Sequence, residues 1–286
     1  MKLQGYHTPK TLEETLSILD AEAKRGRSAA VLAGGTDVMV RMREGRMRPE
    51  VLVQIEALSD LAAIDESAAA IRLGARVSFA QLMTSKVIAQ HAEVLALASR
   101  DVGAPQIQSR GTIGGQLGTA SPVGDLLPPL VALEAEVIAR SVDGERRVPV
   151  ESWLRGVGVC DRRPNELIMG VEFRKVSAAT RSLWHKAGPR RAQSISKVSF
   201  AALIRLSAER RVEHIRLVFG AVAVTAKRAA KTEALLAGQV LTPALIQQAQ
   251  QTAMMEFTPI TDLRSTDAYR RRMVGVMLRR GLVSLL

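Results

Sequence analysis

The stretch AVLAGGTDV, Ala30–Val38, runs an apolar segment into a glycine pair and follows it with a hydroxyl and a carboxylate. A second glycine-rich stretch, GTIGGQLGTASPVGD, spans Gly111–Asp125. SAAVLA reads as a short buried strand ending at Gly34-Gly35, and TDVMVRMREG reads as a helix capped by Thr36. A turn without side chains lets backbone N–H groups approach a ligand closely. Several such groups pointing one way form an anion nest, and a helix starting there adds its dipole. One Gly-Gly turn is equally well a tight connection. Two of them, each beside a strand, suit the two phosphoryl groups of a diphosphate. Neither is a Walker loop, because no Lys follows a final Gly. GTIGGQLG lacks the G-x-G-x-x-G spacing of a dinucleotide fingerprint. GVGVCD starts correctly at Gly156 and Gly158 but places Asp161 where the third glycine belongs.

Outward from the first turn, TLEETLSILDAEAKRG has Thr11 and Glu14 in capping-box spacing, with Leu12, Leu16 and Leu19 on one face and Gly26 as the stop. EVLVQI is a further strand, so the chain to about Ile55 reads β-α-β after an opening helix. AIRLGA is a strand. SFAQLMTSKVIAQ opens on a second capping box, Ser78 with Gln81, and HAEVLALASRDVG continues as helix to Gly103. After the second glycine turn come a helix around DLLPPLVALEA and strands at EVIARS and ELIMGVEF. Beyond about Arg174, ISKVSFAALIRLS and VEHIRLVFGAVAV read as paired strands. Helices at AAKTEALLAG, TPALIQQAQQTAMM and STDAYRRRMVGVMLRRGLVSLL follow, the second with Thr242 as cap and Pro243 in its first turn. The class is α+β in three compact pieces.

Composition narrows the function. The chain has 286 residues, 47% hydrophobic and 24% charged, which is the balance of a globular protein. No apolar run is long enough for a membrane span, and the N-terminus lacks a signal-peptide core, so the expected location is the cytoplasm. The single cysteine, Cys160, can close no internal disulfide and cannot hold an iron–sulfur cluster. His7, His91, His185 and His214 are scattered without zinc-ligand spacing. The net charge of +12 raises nucleic acid as a partner, but aromatics are only 3% and the arginines are dispersed through amphipathic segments. The positive surface suits an anionic cofactor or an acidic partner subunit instead.

Four segments, AGGTDV, GAPQIQSRGTIGGQLGTASPVGD, PNELIMGVEF and HKAGPRRAQSISKVSFA, resemble the FAD-binding subunit of molybdenum hydroxylases. That group includes xanthine dehydrogenases, carbon monoxide dehydrogenases and hydroxylases of aromatic heterocycles. YHTPKTLEETLSIL and DLRSTDAYRRRMVGVMLRRGL resemble the two ends of that subunit, so the similarity spans nearly the whole chain. The resemblance implies a two-subdomain FAD-binding domain over residues 1–175. Its small βαβ piece would cover about 1–55, and a larger mixed sheet with helices 56–175. A C-terminal flavoprotein domain of antiparallel strands and a three-helix bundle would occupy 176–286. It implies non-covalent FAD here, with the molybdenum cofactor in a large subunit and [2Fe-2S] clusters in a small one. These would assemble as a dimer of heterotrimers that reduces an acceptor such as NAD or a quinone. A stand-alone FAD oxidase of the wider fold and a non-enzymatic flavin-binding protein are the alternatives. Such oxidases often tether FAD through His or Cys, and neither glycine stretch contains a histidine.

Residue by residue, Ala33, Gly34, Gly35, Thr36 and Asp37, with Val38 after them, match the family's first pyrophosphate loop. Thr112, Ile113, Gly114, Gly115 and Gln116 match the second. The family usually has Asn in place of Gln116, so the resemblance carries over the backbone contacts there and not the side chain's. Asp125 matches an acid near the adenosine or ribityl side, and it also suits the N-terminus of the helix at LLPPL. Ile168 matches an apolar contact to the flavin ring, a role compatible with a buried strand residue. Lys186 matches a lysine near the flavin's polar edge, where a cation stabilises negative charge on the reduced ring. Its alternative is a solvated lysine on a strand. Cys160 reads as inert packing.

Overall fold

The computed structural model describes residues 3–286; Met1 and Lys2, with which the first domain is read to begin, lie outside the described residues. Its N-terminal piece contains β1 (Gly5–His7), α1 (Leu12–Lys24), β2 (Ala29–Leu32), α2 (Val38–Arg43) and β3 (Val51–Gln54). The three strands are parallel in the order β1-β3-β2. The expected β-α-β unit is β2-α2-β3. Strand β1 was not foreseen, because Gly-Tyr-His is too short to carry an alternation. Thr11 accepts the Glu14 N–H at 3.1 Å, but the Glu14 carboxylate takes the Lys10 N–H at 2.7 Å instead of that of Thr11, so this capping box is half formed. Thr36 does not cap α2. The cap is Asp37, and its side chain accepts no backbone N–H of the helix.

The middle piece is an antiparallel sheet in the order β4-β5-β10-β6-β7. Its strands are β4 (Ile64–Glu66), β5 (Ala70–Gly74), β6 (Glu136–Ser141), β7 (Gly144–Pro149) and β10 (Leu167–Arg174). One face is covered by helices drawn from α3 (Phe79–Thr84), α4 (Lys86–His91), α5 (Glu93–Arg100), α6 (Pro105–Gln108), α7 (Ile113–Thr119), α8 (Leu127–Ala132) and α9 (Val150–Trp153). A small hairpin pairs β8 (Leu154–Gly156) with β9 (Val159–Cys160). The continuous helix expected up to Gly103 is broken into α3, α4 and α5. Ser85 ends the first and caps the second, its hydroxyl accepting the Ile88 N–H, so a local side-chain acceptor replaces the helical one. In β10, Leu167 and Met169 pack into the core of the N-terminal piece, while Ile168, Val171 and Phe173 face the helical layer. The phase slips at a bulge between Ile168 and Gly170, where Gly170 has φ of +152°.

The C-terminal piece is a second antiparallel sheet, β11 (Arg181–Ala187), β12 (Val198–Leu206), β13 (Val212–Gly220) and β14 (Lys227–Arg228) in that order. One face packs on the middle piece through Ala201, Leu203 and Val218. The other is covered by α10 (Ala230–Leu236), α11 (Pro243–Glu256) and α12 (Asp267–Val283). Thr242 caps α11 as read, accepting the Leu245 N–H at 3.2 Å.

On β11 the side chains alternate, so His185 and Lys186 point to opposite faces. His185 stacks on Phe200, with ring centroids 6.2 Å apart, and its buried Nε2 has no hydrogen-bond partner. Burial first, and Arg280 second, hold its pKa below the ordinary histidine value. The unfolded chain therefore binds the proton more readily than the folded one. The resulting stability is complete above the unfolded pKa and is lost as pH falls below it. We expect the urea midpoint to fall between about pH 7 and pH 5, and the His185→Gln variant to show a shallower fall. An unchanged slope in that variant would remove His185 from the account.

Candidate functional site

The β2–α2 turn is built as a nest. Gly35 has φ of +76°, the left-handed region that favours glycine. A Cβ at Gly34 would fall on the Arg110 carbonyl oxygen, so only glycine lets this turn close against the segment before α7. The backbone N–H groups of Gly34, Gly35, Thr36 and Asp37 donate to no protein acceptor among the described residues. Such a run of free amides is a binding surface for negative charge. Ala33 leads into it, and Val38 begins α2, which buries none of its residues.

The second glycine pair is not a turn. Thr112 is the cap of α7, and Gly114-Gly115 form the helix's first turn. Their amides are already used. Ile113 donates to the Val77 carbonyl at 3.0 Å and Gly114 to that of Ala75 at 2.8 Å. Gly115 donates to the Thr112 hydroxyl at 3.1 Å and Gln116 to the Thr112 carbonyl at 3.0 Å. The expected second set of free donors is thus corrected: carbonyls of the segment that follows β5 and the helix itself absorb it. Only the Thr112 amide stays without a protein acceptor among the described residues. Gly114 serves packing, since a Cβ there would sit 2.7 Å from the Ala75 Cβ and 2.8 Å from its oxygen. The Ile113 side chain is fully buried in the core.

Helix α7 links the candidate residues. Thr119 at its end donates to the Asp37 carboxylate at 3.1 Å, which Arg41 also holds at 2.8 Å. Trp153, fully buried, donates to the Leu117 carbonyl at 3.2 Å and pins the helix from below. Ile168 lies beside Gly118, 3.7 Å from where its Cβ would be, and the Cys160 sulfur lies 3.9 Å from the Gly118 carbonyl. Gln116 packs against Gly124, next to Asp125.

Asp125 and Lys186 form a buried pair, with Nζ–Oδ2 of 2.7 Å and side chains 9% and 6% exposed. Ser196 donates to the other carboxylate oxygen at 2.5 Å, and Lys186 also donates to the Asp101 carbonyl at 2.7 Å. Lys186 is therefore not a solvated strand lysine. Asp125 does not cap α8, which starts beyond it with no side-chain cap. Burial pushes the Asp125 carboxyl up, against the pull of Lys186 and Ser196.

Between the two motifs opens a polar cavity of about 140 Å³. Ala33, Gly34 and Thr112 line it from the motifs; Ser78, Gln81 and Ser109 add polar groups, and Glu56, Arg76 and Arg110 add charge. Sequence reasoning missed these three charged residues. Arg110 stands directly before GTIGG and could have been read from there. Arg76 and Glu56 reach the cavity only through the fold. The volume suits a diphosphate; the rest of a dinucleotide needs a longer groove.

Residues 1–173 match the FAD binding domain in molybdopterin dehydrogenase, and residues 184–285 match the CO dehydrogenase flavoprotein C-terminal domain. The chain belongs to this flavoprotein family. It is similar to the carbon monoxide dehydrogenase medium chain of Hydrogenophaga pseudoflava, at 28% identity over 97% of this chain and 95% of that one. It is 30% identical to the nicotinate dehydrogenase FAD-subunit of Eubacterium barkeri, over 72% of this chain and 70% of the other. Among solved structures, a carbon monoxide dehydrogenase from Hydrogenophaga pseudoflava lacking the Mo-pyranopterin moiety superposes with a TM-score of 0.92. It covers 98% of this chain and 96% of that one at 28% identity. As a member of the flavoprotein family the chain is an FAD-binding oxidoreductase subunit. The free amides, the cavity and its guanidinium groups fit the diphosphate of that cofactor. No helix among the described residues is long and apolar enough to cross a membrane.

Proposed function

We propose that this chain is the electron-relay subunit of a cytoplasmic molybdenum hydroxylase. In this reading it takes electrons from [2Fe-2S] clusters of a small subunit and delivers them to an external acceptor such as NAD or a quinone. A large subunit carrying the molybdenum cofactor oxidises the substrate, and the assembly is a dimer of heterotrimers. Residues 1–175 hold the FAD, and residues 176–286 supply Lys186. The likeness to medium chains over nearly the full length carries the reading.

FAD supplies the step between paired and single electrons. The residues of this chain bind and tune it. Gly34, Gly35, Thr36 and Asp37 would offer amides to the diphosphate, and Thr112 lines the cavity together with Gly34. Ile168 would give the flavin ring an apolar contact, and Lys186, held by Asp125, would supply a positive charge near its polar edge. Binding is non-covalent in this reading, because neither motif carries a histidine and the Cys160 sulfur makes only a weak contact to the Gly118 carbonyl. Acid precipitation should therefore leave intact FAD in the supernatant. Flavin remaining with the pellet, or FMN in solution, contradicts this.

The relay itself is tested on the purified chain, free of iron and molybdenum. No group of three or more His, Cys, Asp or Glu among the described residues could hold a metal ion. Dithionite should bleach the bound flavin, while candidate organic substrates leave its spectrum unchanged. Adding the large and small subunits should restore bleaching by substrate. Bleaching of the chain alone by a substrate at a catalytic rate would replace the relay with a stand-alone oxidase.

A further inference from the structure

We infer that Arg76 and Arg110 are the side chains that bind the FAD diphosphate, and that Glu56 is the carboxylate which occupies Arg110 when the diphosphate is absent. The inference rests on the FAD-binding reading and adds named side chains to it. Its starting point is an imbalance in the site. The β2–α2 turn offers free amides, whereas the facing motif offers only that of Thr112, the others being used inside the protein. A diphosphate held from one side alone would leave much of its charge uncompensated. The missing positive charge lies on the same wall. Arg76 and Arg110 both line the cavity with Gly34 and Thr112.

Each guanidinium is placed by the fold. Arg110 directly precedes the Gly111–Thr112 corner, and its carbonyl is the surface against which Gly34 closes. Its head meets Glu56 Oε1 at 2.9 Å. Arg76 donates through Nη1 to the Leu58 carbonyl at 2.8 Å, a single neutral partner, and it forms no ion pair among the described residues. A guanidinium fork matches phosphate oxygens in geometry as well as charge. The Glu56–Arg110 pair is half exposed, with side chains 46% and 52% accessible, so it is weak enough to be exchanged. Glu56 also accepts from Gln54 Nε2 at 2.8 Å, which keeps the carboxylate hydrogen-bonded when Arg110 turns toward phosphate.

Two substitutions test this in opposite directions. FAD dissociation constants are measured by quenching of flavin fluorescence on the apoprotein of the full chain, with urea midpoints measured in parallel. Arg110→Gln and Arg76→Gln should each weaken FAD binding about tenfold, the scale of one charge-assisted hydrogen bond. Each should also reduce the steepness with which affinity falls as salt rises. Glu56→Gln should leave affinity equal or tighter, because it removes the competing anion. If Glu56–Arg110 were only a structural latch, Glu56→Gln and Arg110→Gln would weaken binding together and lower the urea midpoint alike. That outcome overturns the inference, as does an unchanged salt dependence. Absence of FAD binding by the wild-type chain would instead count against the underlying reading, before any variant is compared.

Discussion

Gly34→Val should yield a folded protein that elutes from gel filtration without flavin. The cause is a collision of backbone with side chain that no rotamer can avoid. The first added atom falls on the Arg110 carbonyl oxygen, so the β2–α2 turn has to lift away from the segment before α7. Lifting it disperses the four free amides and widens the cavity that Gly34 and Thr112 enclose. Overpacking of this kind costs about 1–3 kcal/mol of stability, which a chain with three packed cores should survive. The loss of several aligned donors at once should be far larger for the ligand. Two neighbouring glycines serve as controls with different physics. Gly35→Ala meets nothing closer than 3.4 Å, but it must hold φ near +76°, so its loss comes from backbone strain of about 1–2 kcal/mol. Gly114→Val drives a side chain into Ala75 and prises α7 off β5, so it should lower the urea midpoint first and lose flavin as a consequence. Flavin-to-protein ratios near the wild-type value in Gly34→Val would show that the turn is not the nest.

What could be read from the sequence, and what could not, follows the range over which each signal acts. The β2-α2-β3 unit, the Ser78–Gln81 box and the Thr242 cap are local, and each is written within a few residues. The helical break at Ser85 is local too, but Ser competes for either role and apolar periodicity runs straight through it. The first glycine pair was legible because Gly-Gly after a buried strand needs a special backbone. The second was misread for the same reason. Gly114 is a glycine because β5 lies against the helix, and nothing within GTIGG reports a neighbour almost forty residues upstream. Arg76 and Glu56 share that difficulty, since both lie far upstream of Arg110 in sequence and come to the same cavity only through the fold. Lys186 came from resemblance alone. Its burial depends on Asp125 and Ser196, which flank it in space and not along the chain.

Lys186→Met should destabilise the apoprotein by about 3–5 kcal/mol, the usual result of removing one partner from a buried ion pair. The two side chains are 6% and 9% exposed, so water cannot replace the lost ammonium. Ser196 remains as one hydrogen bond to the carboxylate, which does not neutralise it. Asp125→Asn should cost less, because an amide still accepts from Ser196 and leaves the lysine its bond to the Asp101 carbonyl. The double variant should be less destabilised than the sum of the singles, since each removes the charge that the other leaves stranded. The pH dependence supplies the sign. Burial already pushes the Asp125 carboxyl up, and Lys186 opposes this. Without Lys186 the folded-state pKa rises further above the unfolded value. A raised carboxyl favours the fold below the unfolded pKa and loses that contribution as pH climbs through the folded one. The gap in urea midpoint between wild type and Lys186→Met should therefore narrow as pH is lowered from neutrality, while the gap for the double variant stays constant. In the flavin-loaded protein Lys186→Met should also lower the reduction potential, because the cation favours the reduced, more negative ring. A constant gap for Lys186→Met, with additive singles, would mean that Asp125 is not charged in the native protein and that Lys186 is held by the Asp101 carbonyl alone.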